Sequence, residues 1–312
     1  MMAEREFDIA IIGGGPAGLT SAIFTARHGL STVVIEKGLI GGYLHFLDDI
    51  ENYPGFPAIK GSELAEKMTE QARKFGATTT IAEVKKIRIA DKKFIIEIGS
   101  ENLLSRAVII ATGSNPARIN APGEDAFFGR GVSYCAKCDG PLFKGKTVLV
   151  VGGGNSAITE ALLLSNYASK LYILNILEDL QADMFLQNKI KSNPKVEFRL
   201  PFKVEKIEGD DRVNRIIIKS LRTGRSEELS VDGVFIFAGR IPSSERFRDI
   251  VKKDNKGFII TDEYLMTSQA GIFSAGDARS KTHLQIATAV GDGALAGISA
   301  SNYLLTGKME RY

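Results

Sequence analysis

Cys135 and Cys138 are the only two cysteines in 312 residues, and they stand three apart in the run Cys135-Ala136-Lys137-Cys138-Asp139. The thiolate is the nucleophile of disulfide exchange, and a second sulfur at this spacing can resolve the mixed disulfide that the first one forms. The competing chemistry is half of a zinc site. Zinc needs four ligands, usually sulfur or nitrogen, yet the chain has only His28, His45 and His283, none at ligand spacing from the cysteines. The pair therefore reads as redox-active, and no metal is expected.

Positioning such a pair requires a scaffold, and the sequence supplies one device twice. Residues 8–22 read DIAIIGGGPAGLTSA and residues 147–161 read TVLVVGGGNSAITEA. In each, a short apolar strand enters Gly-x-Gly-x-x-Gly/Ala and then a helix: Gly13, Gly15 and Gly18 in one, Gly152, Gly154 and Ala157 in the other. The first glycine permits the tight turn, the second lets backbone approach a pyrophosphate, and the third position lets helix and strand pack closely. The helix N-terminus then offers free N–H groups and a positive dipole end to phosphate. One such match is weak evidence, whereas two in strand-turn-helix context are strong. A packing relic that binds nothing remains the other reading of the second loop.

The halves echo each other further on. AVIIATGSNP at residues 107–116 is matched by GVFIFAGRIP at residues 233–242, and a third apolar strand, residues 271–275, ends in Gly276-Asp277. Strands alternate with helices between these marks, as at residues 32–36 and 171–175. The pattern predicts an α/β fold of two doubly wound Rossmann-like domains, the second inserted into the first. The expected division is 1–116 with 242–312 for the outer domain and 117–241 for the insert carrying the cysteines. An amphipathic run over residues 283–305 should close the outer domain as a helix.

Composition narrows the partners. Hydrophobic residues make up 44% and charged residues 25%, ordinary for a soluble globular protein. A net charge of +3 with no block of like charge points to neither nucleic acid nor an anionic membrane surface. The polar start over residues 1–6 contains no signal-type apolar segment, and no stretch is long enough to span a bilayer. A cytoplasmic setting follows as the expectation, consistent with a catalytic rather than structural use of two cysteines.

The residue ending the second strand of each unit decides what the adenosine ribose can carry. Glu36 stands there in the first unit, so that site should hold an unphosphorylated dinucleotide such as FAD or NAD. In the second unit the equivalent is Asn175, followed by Ile176-Leu177-Glu178-Asp179-Leu180-Gln181, a segment without a basic residue. Glu178 and Asp179 would repel a 2′-phosphate, a like-charge contact that costs about 1 kcal/mol or more near a surface. NADPH is thus disfavoured. NADH stays open, because the Asn175 amide can hydrogen-bond a hydroxyl.

Taken with Glu51-Asn52-Tyr53-Pro54-Gly55, Ala111-Thr112-Gly113 and Ala275-Gly276-Asp277, these motifs closely resemble the low-molecular-weight thioredoxin reductases from about Phe7 to Leu304. The resemblance implies FAD in the first domain, a pyridine nucleotide in the insert, a homodimer, and a thioredoxin- or glutaredoxin-like protein as disulfide substrate. It implies that Gly13, Gly15, Pro16 and Ala17 face the FAD pyrophosphate, with Glu36 and Lys37 at the ribose. Gly41, Gly42, Leu44 and Asn52 would border the flavin ring, and Val84 and Ala111-Thr112-Gly113 complete the cradle. Gly276 and Asp277 would reach the ribitol, and Gln285, Ile286 and Ala287 would place helix N–H groups near the pyrimidine ring. The second nucleotide would meet Gly152, Gly154, Asn155, Ser156 and Asn175.

By the same resemblance Cys138 is the inward sulfur that exchanges electrons with flavin, Cys135 attacks the partner disulfide, and Asp139 serves as the acid or base. Asp139 could instead merely cap the following turn. The chain departs from the family at three places. Asn175-Ile176-Leu177 and Gln181 stand where NADPH-using members carry a His-Arg-Arg run and a further Arg; Tyr43 replaces a Gln, and Leu284 an Arg. The histidines read as surface residues, and Phe127, Phe128 and Tyr134 as packing or docking aromatics. Two other functions compete: a flavin-dependent dithiol oxidase, and a flavin-bearing redox sensor with a vestigial second site.

Overall fold

The computed structural model describes residues 5–307 except Asp48, Lys92 and Ser100, with the Asp49 side chain left out; residues 1–4 of the polar start lie outside the described residues. The helices are α1 (Pro16–Arg27), α2 (Gly61–Lys74), α3 (Ala136–Asp139), α4 (Asn155–Ser165), α5 (Met184–Lys191) and α6 (Ile286–Thr306). The chain divides into two compact units, residues 1–115 with 241–312, and residues 116–240. The expected insert, 117–241, differs from the second unit by one residue at each end.

Apolar runs become strands buried on both faces, because successive side chains in a strand point to opposite sides. In the strand Arg5–Ile12, Ile9 and Ile11 enter one hydrophobic cluster, and Ala10 and Ile12 enter another. Full burial of each such isoleucine stabilises the fold by roughly 1.5–3 kcal/mol. The parallel strands of the first unit lie in the order Thr78–Ile81, Thr32–Glu36, Arg5–Ile12, Glu101–Ile110, Ile272–Ser274. This is the order of a doubly wound sheet, with the topological switch beside Arg5–Ile12. Helices α1, α2 and α6 cover one face. The other face is covered by Val84, Ile87, Phe94 and Ile96, which come from the antiparallel strands Val84–Ala90 and Lys93–Ile98.

The second unit repeats the plan. Its strands run Val196–Arg199, Lys170–Leu174, Thr147–Val151, Gly233–Ile236, Val132–Ser133, all parallel. Val148, Val150, Leu171 and Ile173 pack with α4, while Leu149, Val151 and Leu174 pack on Ile207, Ile216 and Ile218 of an antiparallel meander. The two ends of this unit meet: Ala117 N–H donates to the Gly239 carbonyl at 2.9 Å.

Element limits differ from the sequence expectation by small, explicable amounts. The strand expected at 171–175 is Lys170–Leu174, so Asn175 begins the loop. The closing helix starts at Ile286 rather than 283. Gln285 and Thr288 form a reciprocal capping box that fixes the start, and Gly307, at φ 68°, ends it in the left-handed region.

Small residues let α1 and α6 approach closely. A Cβ added at Gly293 would lie 2.3 Å from the Ala17 carbonyl oxygen, and the Ser21 hydroxyl lies 2.9 Å from the Ala17 oxygen and 3.0 Å from the Gly293 oxygen. Gly293→Ala should therefore lower unfolding stability by about 1–3 kcal/mol through overpacking. Gly291, where an added Cβ meets nothing within 4 Å, serves as the control; Gly291→Ala should be neutral or stabilise by up to about 1 kcal/mol. Denaturant unfolding of both variants reads the difference, and equal midpoints would contradict the packing argument.

Candidate functional site

In the first unit the loop after Arg5–Ile12 folds back on the neighbouring strand end. Gly13 has φ 108°, and a Cβ there would sit 2.3 Å from the Ala111 carbonyl oxygen. The Gly14 N–H donates to Glu36 Oε2 at 2.7 Å and the Gly38 N–H to Glu36 Oε1 at 2.9 Å. The carboxylate thus stands at the mouth of the loop. Gly15 is the N-cap of α1 with no side-chain cap, Pro16 follows, and the space an added Cβ would fill at Gly15 is open. An uncapped helix N-terminus facing open space beside a carboxylate fits the pyrophosphate and ribose of FAD.

Other expected cofactor residues gather around this loop. The Gly41 N–H donates to the Gly14 carbonyl at 2.8 Å, and Gly42 lies against Gly15. Gly276 packs on Ala17, and its N–H donates to Asp292 Oδ2 at 3.1 Å. The Ala111 N–H bonds the Ile12 carbonyl, and Thr112 Oγ1 donates to the Ser243 carbonyl at 2.9 Å. Gly113 has φ 66°. Asn52 Nδ2 donates to Gln285 Oε1 at 3.2 Å, so the segment around Tyr53 meets the start of α6, where Ile286 and Ala287 are half-buried. Asp277 lies 3.7 Å from Lys281, and Lys37 is exposed. Leu44 and Val84 are buried members of the hydrophobic clusters, and the Val84 carbonyl accepts from Arg246.

The second loop has the same backbone but a different surround. Gly152, at φ 131°, has its Cβ position 2.4 Å from the Phe237 carbonyl oxygen, and Gly154 is the uncapped N-cap of α4. Asn175, however, is only 6% exposed. Its amide nitrogen donates to the Asp179 carbonyl at 2.9 Å and reaches Gln181 Oε1 at 3.2 Å and the Leu177 carbonyl at 3.4 Å. The amide expected at a ribose hydroxyl here bonds within its own loop. Asn155, at the first turn of α4, donates to Asp183 Oδ2 at 2.8 Å and accepts the Asp183 N–H at 2.7 Å, which brings a carboxylate to the phosphate end of the loop. Ser156 is exposed. Ile176, Leu177, Met184 and Phe185 are exposed, and Arg222 Nη2 donates to Glu178 Oε1 at 2.9 Å, so the rim is largely apolar with an acid and a base paired on it.

Cys135 and Cys138 are joined as a disulfide with Cα atoms 5.4 Å apart. The Ser133 hydroxyl accepts the Cys135 N–H at 3.0 Å and lies 3.2 Å from the Cys135 carbonyl oxygen; the Cys138 N–H donates to Cys135 Sγ at 3.1 Å. Cys138 is exposed and Cys135 half-buried, the reverse of the order expected for an outward Cys135. The cause is local, because Cys135 caps α3 and tucks its sulfur against that turn. Asp139 is half-buried and does not cap the following turn.

One residue near the pair escaped the sequence reading. Glu160 of α4 is 8% exposed, and its Oε2 accepts the Ala136 N–H at 3.2 Å. Burial pushes its carboxyl up to about 7, against the opposing pull of that hydrogen bond and of Lys137. A signal was present: Ala157, Glu160, Ala161, Leu164 and Ser165 follow the buried-face spacing of a helix, so a carboxylate occupies an apolar stripe. Nearby, the Tyr134 hydroxyl donates to buried Glu124, and burial and that carboxylate hold the phenol well above its usual range. Phe128 is exposed and tilts against Tyr134, ring centres 5.8 Å apart. His28 is exposed, as is His283, and half-buried His45 places Nε2 2.7 Å from the Ile40 carbonyl. Among the described residues no cluster of His, Cys, Asp and Glu could hold a metal, and no helix is long and apolar enough to cross a membrane.

Two nucleotide-type loops and a Cys-x-x-Cys disulfide in one chain define a class, and comparison with known proteins agrees. The family model "Pyridine nucleotide-disulphide oxidoreductase" matches residues 7–293, and the chain belongs to that family. Within it, the chain is 42% identical to the thioredoxin reductase of Bacillus subtilis over 97% of this chain and 96% of that protein. Its structure superposes on the crystal structure of Lactococcus lactis thioredoxin reductase with a TM-score of 0.94 at 37% identity, covering 96% of this chain and 99% of that one. A ferredoxin-flavin thioredoxin reductase from Clostridium acetobutylicum is 32% identical, with a TM-score of 0.53, over 97% of this chain and 100% of that one.

The internal role of Asn175 has a measurable consequence. Asn175→Ala removes a buried amide that bridges the carbonyls of 177 and 179, so unfolding stability should fall by about 0.5–1.5 kcal/mol. Thermal or denaturant unfolding checks this, and an unchanged midpoint would show that the amide does not hold the loop.

Proposed function

We propose that the chain is an FAD-dependent reductase that passes two electrons to the Cys135–Cys138 bond and from there to a disulfide of a thioredoxin- or glutaredoxin-like protein, acting as a homodimer. The observation that carries this reading is the closed Cys135–Cys138 disulfide whose own backbone N–H points at Cys135 Sγ. Gly13, Gly15, Pro16, Glu36, Gly42 and the start of α6 would hold FAD, which when bound would collect electrons from the donor and pass them as a pair to the disulfide.

Once reduced, Cys135 is the better nucleophile of the pair. The Cys138 N–H donates to its sulfur, a contact that strengthens when the sulfur is anionic and so favours the thiolate. The Cys135 thiolate attacks one sulfur of the partner disulfide, forming a mixed disulfide and releasing a partner thiolate. Cys138 then attacks Cys135 Sγ, restoring the original bond and releasing the second partner sulfur. The partner gains the two electrons the pair loses, and two protons complete its dithiol. Asp139, whose carboxyl makes no cap hydrogen bond, would in this reading deliver a proton to the leaving sulfur.

The donor in this reading is not NADPH. Three features of the second loop support that: the inward-turned Asn175, Asp183 bonded to Asn155, and a rim of exposed Ile176, Leu177 and Asp179, where Arg222 is engaged by Glu178. The inward amide also removes the contact that favoured NADH. A ferredoxin-type protein carrier is the donor class favoured, as in the name of the Clostridium acetobutylicum relative.

Cys135→Ser should retain flavin and lose at least about a thousand-fold in thioredoxin reduction, because the step needs a thiolate. Cys138→Ser should instead accumulate a mixed disulfide through Cys135, visible by mass spectrometry. Full activity in the Cys135 variant would defeat the mechanism. Anaerobic NADPH at micromolar concentration should leave the flavin absorbance unbleached over minutes, while reduced ferredoxin bleaches it; rapid bleaching by NADPH would overturn the donor assignment.

A further inference from the structure

Glu160 lies directly behind the redox pair. The hydrogen bond it accepts comes from the peptide that joins Cys135 to Ala136, and α4 presses this side chain against α3 within an apolar cluster of Ala136, Ala157, Ala161 and Leu164. Removing a carboxylate from water into such surroundings is costly unless something requires it. A neutral side chain could accept the same N–H bond, so backbone satisfaction alone does not explain an ionisable group at this position. The dithiol is what changes charge beside it.

We propose that Glu160 is a positioning residue of the redox pair that acts through the Cys135–Ala136 peptide: it fixes the backbone of Cys135, and its charge state is coupled to that of the thiols formed on reduction. The inference rests on the reductase reading for the role of the thiols but not for the coupling itself. Reduction adds two electrons, breaks the S–S bond, and leaves two sulfurs that bind two protons as dithiol or one as thiol and thiolate. A carboxylate behind the pair opposes the thiolate, whereas a neutral carboxyl does not. Lys137 of α3 is the charged group that acts on Glu160, in the direction that favours its ionised form. The carboxyl loses its proton as pH rises through about 7. Across that window, thiolate formation in the wild type becomes harder just as rising pH should make it easier. The two titrations then belong to the pair rather than to either group.

The test uses full-length protein reduced with a phosphine, freed of reductant, and alkylated with iodoacetamide between pH 5 and 9, each cysteine being followed by mass spectrometry. The wild type should show a broad, two-step rise of Cys135 alkylation with pH. Glu160→Gln keeps an oxygen that can accept the Ala136 N–H but cannot titrate; its profile should collapse to one step with the midpoint lowered by about half a unit or more. Glu160→Ala should share that lower midpoint and also lose hydrogen-exchange protection at the Ala136 amide, which Glu160→Gln should preserve. Superimposable wild-type and Gln profiles would overturn the coupling, and unchanged amide protection in the Ala variant would overturn the positioning. Thioredoxin turnover by the wild type is read separately, so failure of the reductase reading leaves the alkylation result intact.

Discussion

Both nucleotide-type loops depend on one steric constraint, the passage of backbone against the carbonyl that ends the neighbouring strand. At Gly13 that carbonyl belongs to Ala111, and at Gly152 to Phe237; a side chain at either glycine would overlap it. Because the contact lies at the switch in strand order, it opens the crevice where a ligand can enter and aims the following helix at it. Every later feature of the first site is arranged from this point. Glu36 caps the loop, Gly42 passes beside Gly15, and Gly276 packs on Ala17. The same constraint is satisfied in the second unit, with different side chains around it. There the side chains point a carboxylate at the helix start and turn the amide inward.

The redox pair illustrates the opposite dependence, on side chains rather than backbone shape. Its sulfurs feel an N–H in front, from Cys138, and a buried carboxyl behind, from Glu160. One favours negative charge on sulfur and the other opposes it once ionised. Such balanced surroundings allow modest changes in protonation to alter reactivity, a common arrangement where a group must be nucleophilic in one step and a leaving group in the next.

Much of this was legible in the sequence, and the reasons differ by residue. Gly13, Gly152 and the Cys135–Cys138 spacing are local patterns whose chemistry follows from chain geometry within a few residues. Glu36 was legible because strand length fixes its distance from the loop. The function of Asn175 was not, since its direction depends on carbonyls at 177 and 179 and on Gln181, which meet it only in the folded loop. Glu160 could have been read from helical spacing, but its meaning required knowing that α3 lies over that face. The exposure of Cys138 relative to Cys135 likewise arises from a single capping turn. The strands that cover the second face of each sheet were hidden in short alternating runs whose partners are set by tertiary pairing.

The meeting of Ala117 with Gly239 at the two ends of the second unit bears on how such a chain can arise and be rebuilt. An insert whose entry and exit adjoin asks its host for no more than a surface turn. The closure entropy the host must overcome is then that of a short loop, whatever the length of the guest. The cysteine-bearing unit is in this sense a replaceable cassette. Its electron source could change by exchange or erosion of the insert's own nucleotide loop while the host's cofactor cradle stayed as it was.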